Sequence, residues 1–231
     1  MKLFATKGGR KIPGNKHISL EREPFVLDPK KVEFVYFPLV AANNAPLEVL
    51  VKEGDKVKVG TKIAVQQQFS VPLFSSVSGS VAAVEKRLNL TTGRACDYLV
   101  IKNDFKMTPE KPLKKVKLDA KKEDIVAALK EAGLVGFGGA GFPTWVKYNN
   151  VKDIHTVLIN AVECEPYLTT DFVMAKVNAE KIVSGALYLQ KAADAAKVII
   201  AIKEKKEEAR DALKLAASDY PSVEIREVPD R

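Results

Sequence analysis

Apolar and polar residues follow two different periods along this chain, and the change of period divides it. From Val32 to Ile101 the apolar residues fall in short runs broken by turn residues. Val32–Leu39 and Leu47–Val51 predict strands, Glu53-Gly54-Asp55 and Val59-Gly60 predict turns, and Ile63–Val65, Val71–Val81 and Ala82–Glu85 predict further strands. Leu99–Asn103 is expected to close the set. No helical period runs through this stretch, so it reads as a small all-β barrel or sandwich.

From Asp119 onward helical periods alternate with short apolar runs. Asp119–Ala132 puts Ile125, Ala128, Leu129 and Ala132 on one stripe, with Asp119 as the expected N-cap. A strand is predicted at His155–Asn160 and a helix from about Thr170 to Ala193, with Ile182, Ala186, Leu189 and Ala193 at helical spacing. A strand at Val198–Ile202, a helix at Lys205–Ala217 and a strand at Val223–Val228 follow. Strands alternating with helices predict a mostly parallel sheet covered by helices. The expected organisation is therefore an extended arm (1–30) wrapping a partner domain, a β domain (31–105), a linker (106–118) and an α/β domain (119–231).

One stretch carries the strongest chemical signal. Five of the thirteen glycines lie between Gly133 and Gly141, and Gly136-Phe137-Gly138-Gly139-Ala140-Gly141-Phe142-Pro143 leads into Thr144–Lys147. Clustered glycines let a backbone turn tightly and expose its N–H groups to a ligand. Pro143 suits the first turn of a helix, whose free N–H groups favour an anion, and Lys147 adds a point charge about one turn on. The same residues also suit a loop built for close packing. Gly136, Gly138 and Gly141 match G-x-G-x-x-G, but that fingerprint follows a strand in a dinucleotide fold, whereas a helix is expected here.

A second candidate stretch ends the strand at His155–Asn160. In parallel sheets ligands collect at the C-terminal ends of strands, and this end carries Asn160, Glu163, Cys164 and Glu165. Glu163 and Glu165 are either acceptors for ligand hydroxyls and amides or solvated loop charges. Phe142 and Trp145 either pack against a ring or belong to the core. Cys164 lacks a resolving partner or base, which favours a structural role.

Composition narrows the classes without choosing among them. A net charge of +8 admits an acidic partner, an anionic lipid surface or an anionic cofactor. The lysines are scattered and no aromatic-plus-Arg recognition motif occurs, so nucleic acid is not expected. Two cysteines far apart give neither a disulfide framework nor metal spacing, which points to a reducing cytoplasm. The opening MKLFATKGGRKIPGNK has no apolar core of a secretion signal, so no signal peptide is expected, and no apolar run approaches a membrane span.

The order VKEGDKVKVGTKIA, then VPLFSSVSGSVAAVE, resembles the biotinyl/lipoyl-type barrel-sandwich hybrid. Where swinging-arm members carry their modified lysine, this chain has Gln66-Gln67-Gln68-Phe69-Ser70, so a docking scaffold without a modifiable lysine is expected. Gly136–Lys147, followed by Leu158-Ile159-Asn160-Ala161-Val162-Glu163-Cys164-Glu165-Pro166-Tyr167, together with Lys7-Gly8-Gly9, is similar to the RnfC-like subunits of ion-translocating electron-transport complexes. More distantly, it resembles the flavin-bearing, NADH-oxidising subunit of respiratory complex I. Phe137 and Val162, where complex I has Arg and an acidic residue, favour the RnfC branch. Asn43-Asn44-Ala45-Pro46 departs from the Gly-Ala-Pro common there.

The resemblance implies an α/β flavin/nucleotide-binding domain after the barrel-sandwich hybrid. It implies electron transfer between NADH and iron–sulfur clusters through FMN, with Gly136, Gly138, Gly139, Ala140, Gly141, Phe142, Lys147, Asn160, Glu163 and Glu165 as cofactor-binding residues. Implied partners are other subunits of a membrane electron-transport complex or a soluble reductase, NAD(H) and a ferredoxin-like acceptor, with the protein peripheral at the inner face of the cell membrane. The 4Fe–4S clusters of such proteins belong to a portion beyond Pro229-Asp230-Arg231, so this chain is expected to be part of a longer subunit and inactive by itself. A non-catalytic docking subunit, or a relative supplying electrons for cobalamin or amino-acid reduction, is the alternative.

Overall fold

The computed structural model describes residues 13–20, 27–41, 45–136 and 140–229. Lys7-Gly8-Gly9, Asn43-Asn44 and Phe137-Gly138-Gly139 lie outside the described residues. In chain order the elements are α1 (His17–Leu20), β1 (Phe34–Pro38), β2 (Glu48–Val49), β3 (Lys56–Val57), β4 (Lys62–Gln66), β5 (Val71–Phe74), β6 (Gly79–Asn89) and β7 (Arg94–Asn103). There follow α2 (Lys122–Glu131), α3 (Thr144–Tyr148), β8 (Thr156–Ala161), α4 (Thr170–Val177), α5 (Ala179–Ala193), β9 (Lys197–Lys203), α6 (Glu207–Ala216) and β10 (Val223–Val228). Contacts group the chain into two compact units. One is Val26–Lys152 with Lys191–Ala193, and the other is Met1–Phe25, Asp153–Gln190 and Asp194–Arg231.

The first unit is a barrel-sandwich hybrid built from two antiparallel sheets, β1-β7-β6-β3 and β2-β4-β5. Alternation along the strands sends Phe37, Leu39, Val57, Ile63, Val81, Leu99 and Ile101 into one shared apolar core. The strand expected over Val71–Val81 is broken between β5 (Val71–Phe74) and β6, which starts at Gly79 and runs on through Ala82–Glu85, its register against β7 shifting between Val81 and Ala83. A bulge takes up the extra residue there and lets the long strand bend rather than end. The Asn89–Arg94 turn is held by Asn89 Oδ1, which accepts the backbone N–H groups of Thr91 and Thr92.

The tip between β4 and β5 explains what replaces the carrier lysine. Gln66 Oε1 accepts the Phe69 N–H at 2.9 Å and shapes a short 3-10 turn over Gln67–Phe69. The Phe69 carbonyl then accepts the indole N–H of Trp145 at 3.0 Å. Phe69 and Phe142 stand 5.8 Å apart between ring centroids, tilted as aromatic pairs prefer. The tip therefore docks α3 and the end of the glycine loop, and the expected linker at 106–118 falls inside the unit that keeps α2 and α3 with the barrel. Trp145→Phe keeps one aromatic ring, deletes the donor and removes part of the indole's packing volume. The expected loss is at least about 1 kcal/mol of stability, the net worth of the hydrogen bond alone, read by urea unfolding followed by circular dichroism. An unchanged midpoint would show that the indole N–H holds nothing.

The other unit is a three-stranded parallel sheet in the order β10-β9-β8. β9 is central and buried along Val198–Ile202, which is why its sequence is a continuous apolar run rather than an alternation. Val183, Ala186, Ala209 and Leu213 from α5 and α6 are buried with it.

Two expectations need correction. The helix expected from Asp119 starts at Lys122, with Lys121 at the cap position and no side-chain cap bond. Asp119 lies in the preceding turn, closed by the Ala120 N–H on the Lys117 carbonyl, and Glu123 and Asp124 face the helix dipole instead. The single helix expected over Thr170–Ala193 is two helices parted at Asn178, whose backbone leaves the helical region (φ −130°, ψ 29°). Its N–H closes α4 on the Met174 carbonyl while its own carbonyl accepts the Ile182 N–H of α5. Asparagine is a weak helix interior and a good boundary.

Candidate functional site

α2 ends where the glycine stretch begins. The Gly133 N–H reaches the Lys130 carbonyl (3.1 Å) and the Leu134 N–H the Leu129 carbonyl (3.3 Å), a helix stop that requires the left-handed φ of +66° at Gly133. The chain then closes on itself. Val135 bridges Pro143, the Gly136 N–H donates to the Phe142 carbonyl (3.0 Å) and the Thr144 N–H to the Leu134 carbonyl (2.8 Å). Gly136 and Phe142 are thus held together at the two ends of the glycine stretch, with Gly141 in the left-handed region at φ +61°. A helix, α2, precedes it, as the sequence predicts. Gly138 and Gly139 lie outside the described residues.

Lys147 sits in the last turn of α3, exposed, with no carboxylate partner among the described residues; its ammonium lies 6.0 Å from the centre of the Phe142 ring. α3 has only five residues, so its dipole is small and Lys147 is the stronger attraction for an anion. Burial pushes the neighbouring Tyr148 phenol up. A cavity of about 370 Å³ lies beside the loop, lined by Phe69, Val71, Pro72, Gly133, Ala140 and Phe142 among others. Its walls are mainly apolar, the common character of cofactor pockets.

The second candidate stretch leaves the C-terminal end of β8. Asn160 Oδ1 accepts the Val162 N–H at 3.0 Å, which leaves the exposed amide NH₂ as a free donor. Glu163 is buried, and its Oε1 accepts the Asp171 N–H at 2.8 Å in the first turn of α4. A carboxylate there is favoured by charge-assisted bonding and the helix dipole together. Its Oε2 accepts no hydrogen bond and lies 3.6 Å from Lys16 Nζ. Lys16 also donates to the carbonyls of Glu165 (3.0 Å) and Leu168 (2.6 Å). Tyr167, left-handed at φ +63°, donates its N–H to the Gly14 carbonyl at 2.7 Å, and Asn15 Nδ2 reaches its hydroxyl at 3.0 Å.

The structure therefore sorts the acidic pair. Glu163 is engaged by this chain's own groups, whereas Glu165 is exposed and its carboxylate has no partner among the described residues. Cys164 is an exposed free thiol. Gly136, Ala140, Gly141, Phe142 and Lys147 stand together in the unit that contains the barrel, and Asn160, Glu163 and Glu165 in the unit that contains the parallel sheet. Gly14, Asn15, Lys16 and Phe69 escape sequence reasoning because none sits in a periodic segment or a recognisable motif. Among the described residues no group of His, Cys, Asp and Glu can hold a metal ion.

A barrel-sandwich hybrid joined to a glycine stretch and a strand-end Asn-x-x-Glu-x-Glu defines a class. Residues 4–106 match the RnfC barrel sandwich hybrid domain family and residues 129–231 match the Nuo51 FMN-binding domain family. The chain belongs to the RnfC-like proteins. It is 34% identical over 204 residues to a subunit of the Na(+)-translocating ferredoxin:NAD(+) oxidoreductase complex of Acetobacterium woodii, covering 85% of this chain and 45% of that protein. It is 31% identical over 235 residues to a subunit of the ion-translocating oxidoreductase complex of Pasteurella multocida, covering 100% of this chain and 28% of that one. A crystal structure of an NAD+-reducing NiFe hydrogenase in the air-oxidised state aligns over 47% of this chain and 20% of its own, at 28% identity and a TM-score of 0.40. The chain spans less than half the length of the curated relatives it matches. No helix among the described residues is long and apolar enough to cross a membrane.

The residues present fit the flavin mononucleotide that the family name implies. A phosphate needs cations and N–H donors, a dimethylbenzene edge needs apolar walls, and a pyrimidine edge needs donors. In the unit with the barrel, Lys147 and the apolar cavity are groups of the first two kinds; in the other unit, the Asn160 amide is a donor.

Proposed function

We propose that this chain is the electron-input part of an RnfC-like NADH:acceptor oxidoreductase, binding FMN and NAD(H) and passing electrons toward iron–sulfur clusters and a ferredoxin-like acceptor. Its partners are the other subunits of a membrane electron-transport complex, and its place is the cytoplasm, peripheral at the inner membrane face. The observation that carries this reading is the charge left uncommitted by folding. Lys147 at the glycine loop and Glu165 at the strand end have no ionic partner among the described residues, while Glu163 nearby in sequence is engaged by Lys16 and the first turn of α4.

Each residue has a role in that reading. The glycine stretch and the Lys147 ammonium hold the phosphate or the reduced ring's negative edge, and Phe142 walls the ring. Asn160 donates its amide to a carbonyl of the ligand, and Glu165 accepts from a ribose hydroxyl or a carboxamide. Glu163 keeps α4 and the loop before it in place. When bound, the flavin supplies the exchange between hydride and single-electron chemistry. The protein positions it and tunes its charge.

Titration with FMN, followed by flavin fluorescence and absorption, tests this. Saturable binding by wild type is expected, and Lys147→Ala is expected to weaken it by about 1.5–3 kcal/mol, the range for a hydrogen bond to a charged group. Equal affinity in a folded variant would remove Lys147 from the site. A second reading, a docking subunit that uses the glycine loop for packing alone, is favoured by the contacts of Gly133 with Pro72 and Phe142 with Phe69. Failure of the wild-type protein to take up FMN would select it.

A further inference from the structure

The segment 13–20 has no place in the reading above, yet one of its side chains makes three contacts to the strand-end loop. Lys16 is mostly buried, with 16% of its side chain exposed, and Glu163 is more so at 7%. The ammonium has three protons to give. Two go to the Glu165 and Leu168 carbonyls, and the charge stands 3.6 Å from Glu163 Oε2, the one buried side-chain oxygen without a hydrogen bond among the described residues. Gly14 and Asn15 add the bonds to Tyr167 described above. A buried carboxylate without a nearby cation is costly, and a loop turning through a left-handed Tyr167 does not hold that shape by local preference.

We propose that Lys16 is a positioning residue for the 160–168 loop: it neutralises Glu163 and pins the loop by two carbonyls, so that Asn160 and Glu165 are held ready for a ligand. What the loop binds rests on the proposed function; that Lys16 holds it does not. Segment 13–20 is then a latch on the 160–168 loop. Its charge also decides which acid serves the ligand, because Glu163 is spent on Lys16 and α4 while Glu165 stays open.

Hydrogen exchange of the ligand-free chain, read by mass spectrometry over 163–171, separates this from a passive role for the segment. Lys16→Met is expected to raise exchange at the Tyr167 and Asp171 amides about tenfold or more, with peptides of the β6–β7 hairpin unchanged. Lys16→Arg, which keeps the charge, is expected to restore protection. The paired change Lys16→Met with Glu163→Gln is expected to exchange more slowly than Lys16→Met alone, since no buried charge is left uncompensated. A lysine that matters only through its aliphatic stem would show neither rescue, and unchanged exchange in Lys16→Met would overturn the proposal outright. Titration with NADH adds the second arm: Lys16→Met is expected to weaken it about tenfold and Lys16→Arg to leave it near wild type. Lost protection with unaltered NADH affinity would also overturn the positioning role. A wild-type chain that binds neither NADH nor FMN while showing the exchange pattern would defeat the proposed function and leave the latch standing.

Discussion

Gly79→Ala is expected to cost the barrel about 3 kcal/mol or more of stability, at the upper end for an added methyl group. A Cβ on Gly79 would stand 2.0 Å from the Lys102 carbonyl oxygen and 2.9 Å from its carbon. Neither neighbour can swing aside, since both are backbone. Gly79 pairs with Val57 on one side and Asn103 on the other, so relief requires opening β6 from β7 or from β3. Gly93→Ala is the control. Gly93 also bends the β6–β7 hairpin, at φ +66°, but a Cβ there meets nothing within 4 Å. Its expected cost is that of the left-handed backbone alone, about 1–2 kcal/mol. Urea unfolding of both variants decides the matter, and equal losses would show that the close approach at Lys102 is not what Gly79 is for.

The second large effect is expected at Gly133→Ala, about 2–3 kcal/mol, because two costs add there. The left-handed φ of +66° is strained for any residue with a Cβ, and that Cβ would lie 2.8 Å from the Pro72 carbonyl oxygen and 3.0 Å from the Pro72 ring. α2 must then either lift from β5 or end differently. The glycine loop starts three residues later, so the same change is expected to weaken FMN binding in the protein that remains folded. Stability and flavin affinity measured on one preparation test both halves. A drop in stability with full flavin affinity would show that the loop is placed independently of α2.

Much of the fold was legible because it follows from short-range patterning. The apolar run Val198–Ile202 announces a strand buried on both faces, and it is the central strand β9. The Val223–Val228 strand matches to the residue. Element ends were harder to read wherever a backbone turn competes with a side-chain signal. Asp119 has the chemistry of a helix cap but lies in the turn before α2, and the apolar spacing through Asn178 continues across a break that only backbone angles reveal.

The candidate site divides along the same line. Gly136, Gly141 and Lys147 announce themselves by residue type and spacing, and Gly136 and Phe142 are held together at the two ends of the glycine stretch. The sequence by itself also determined that no lysine occupies the Gln66–Ser70 tip and that two acids follow the strand ending at Asn160. Only the tertiary structure decided how those groups are used. The Phe69 carbonyl meets the Trp145 indole across 76 positions, and Lys16 meets the Glu165 carbonyl across 149. Burial and charge neutralisation depend on such distant partners. Two glutamates two residues apart are therefore alike in the sequence, while in the folded chain Glu163 is enclosed by Lys16 and α4 and Glu165 remains open to solvent.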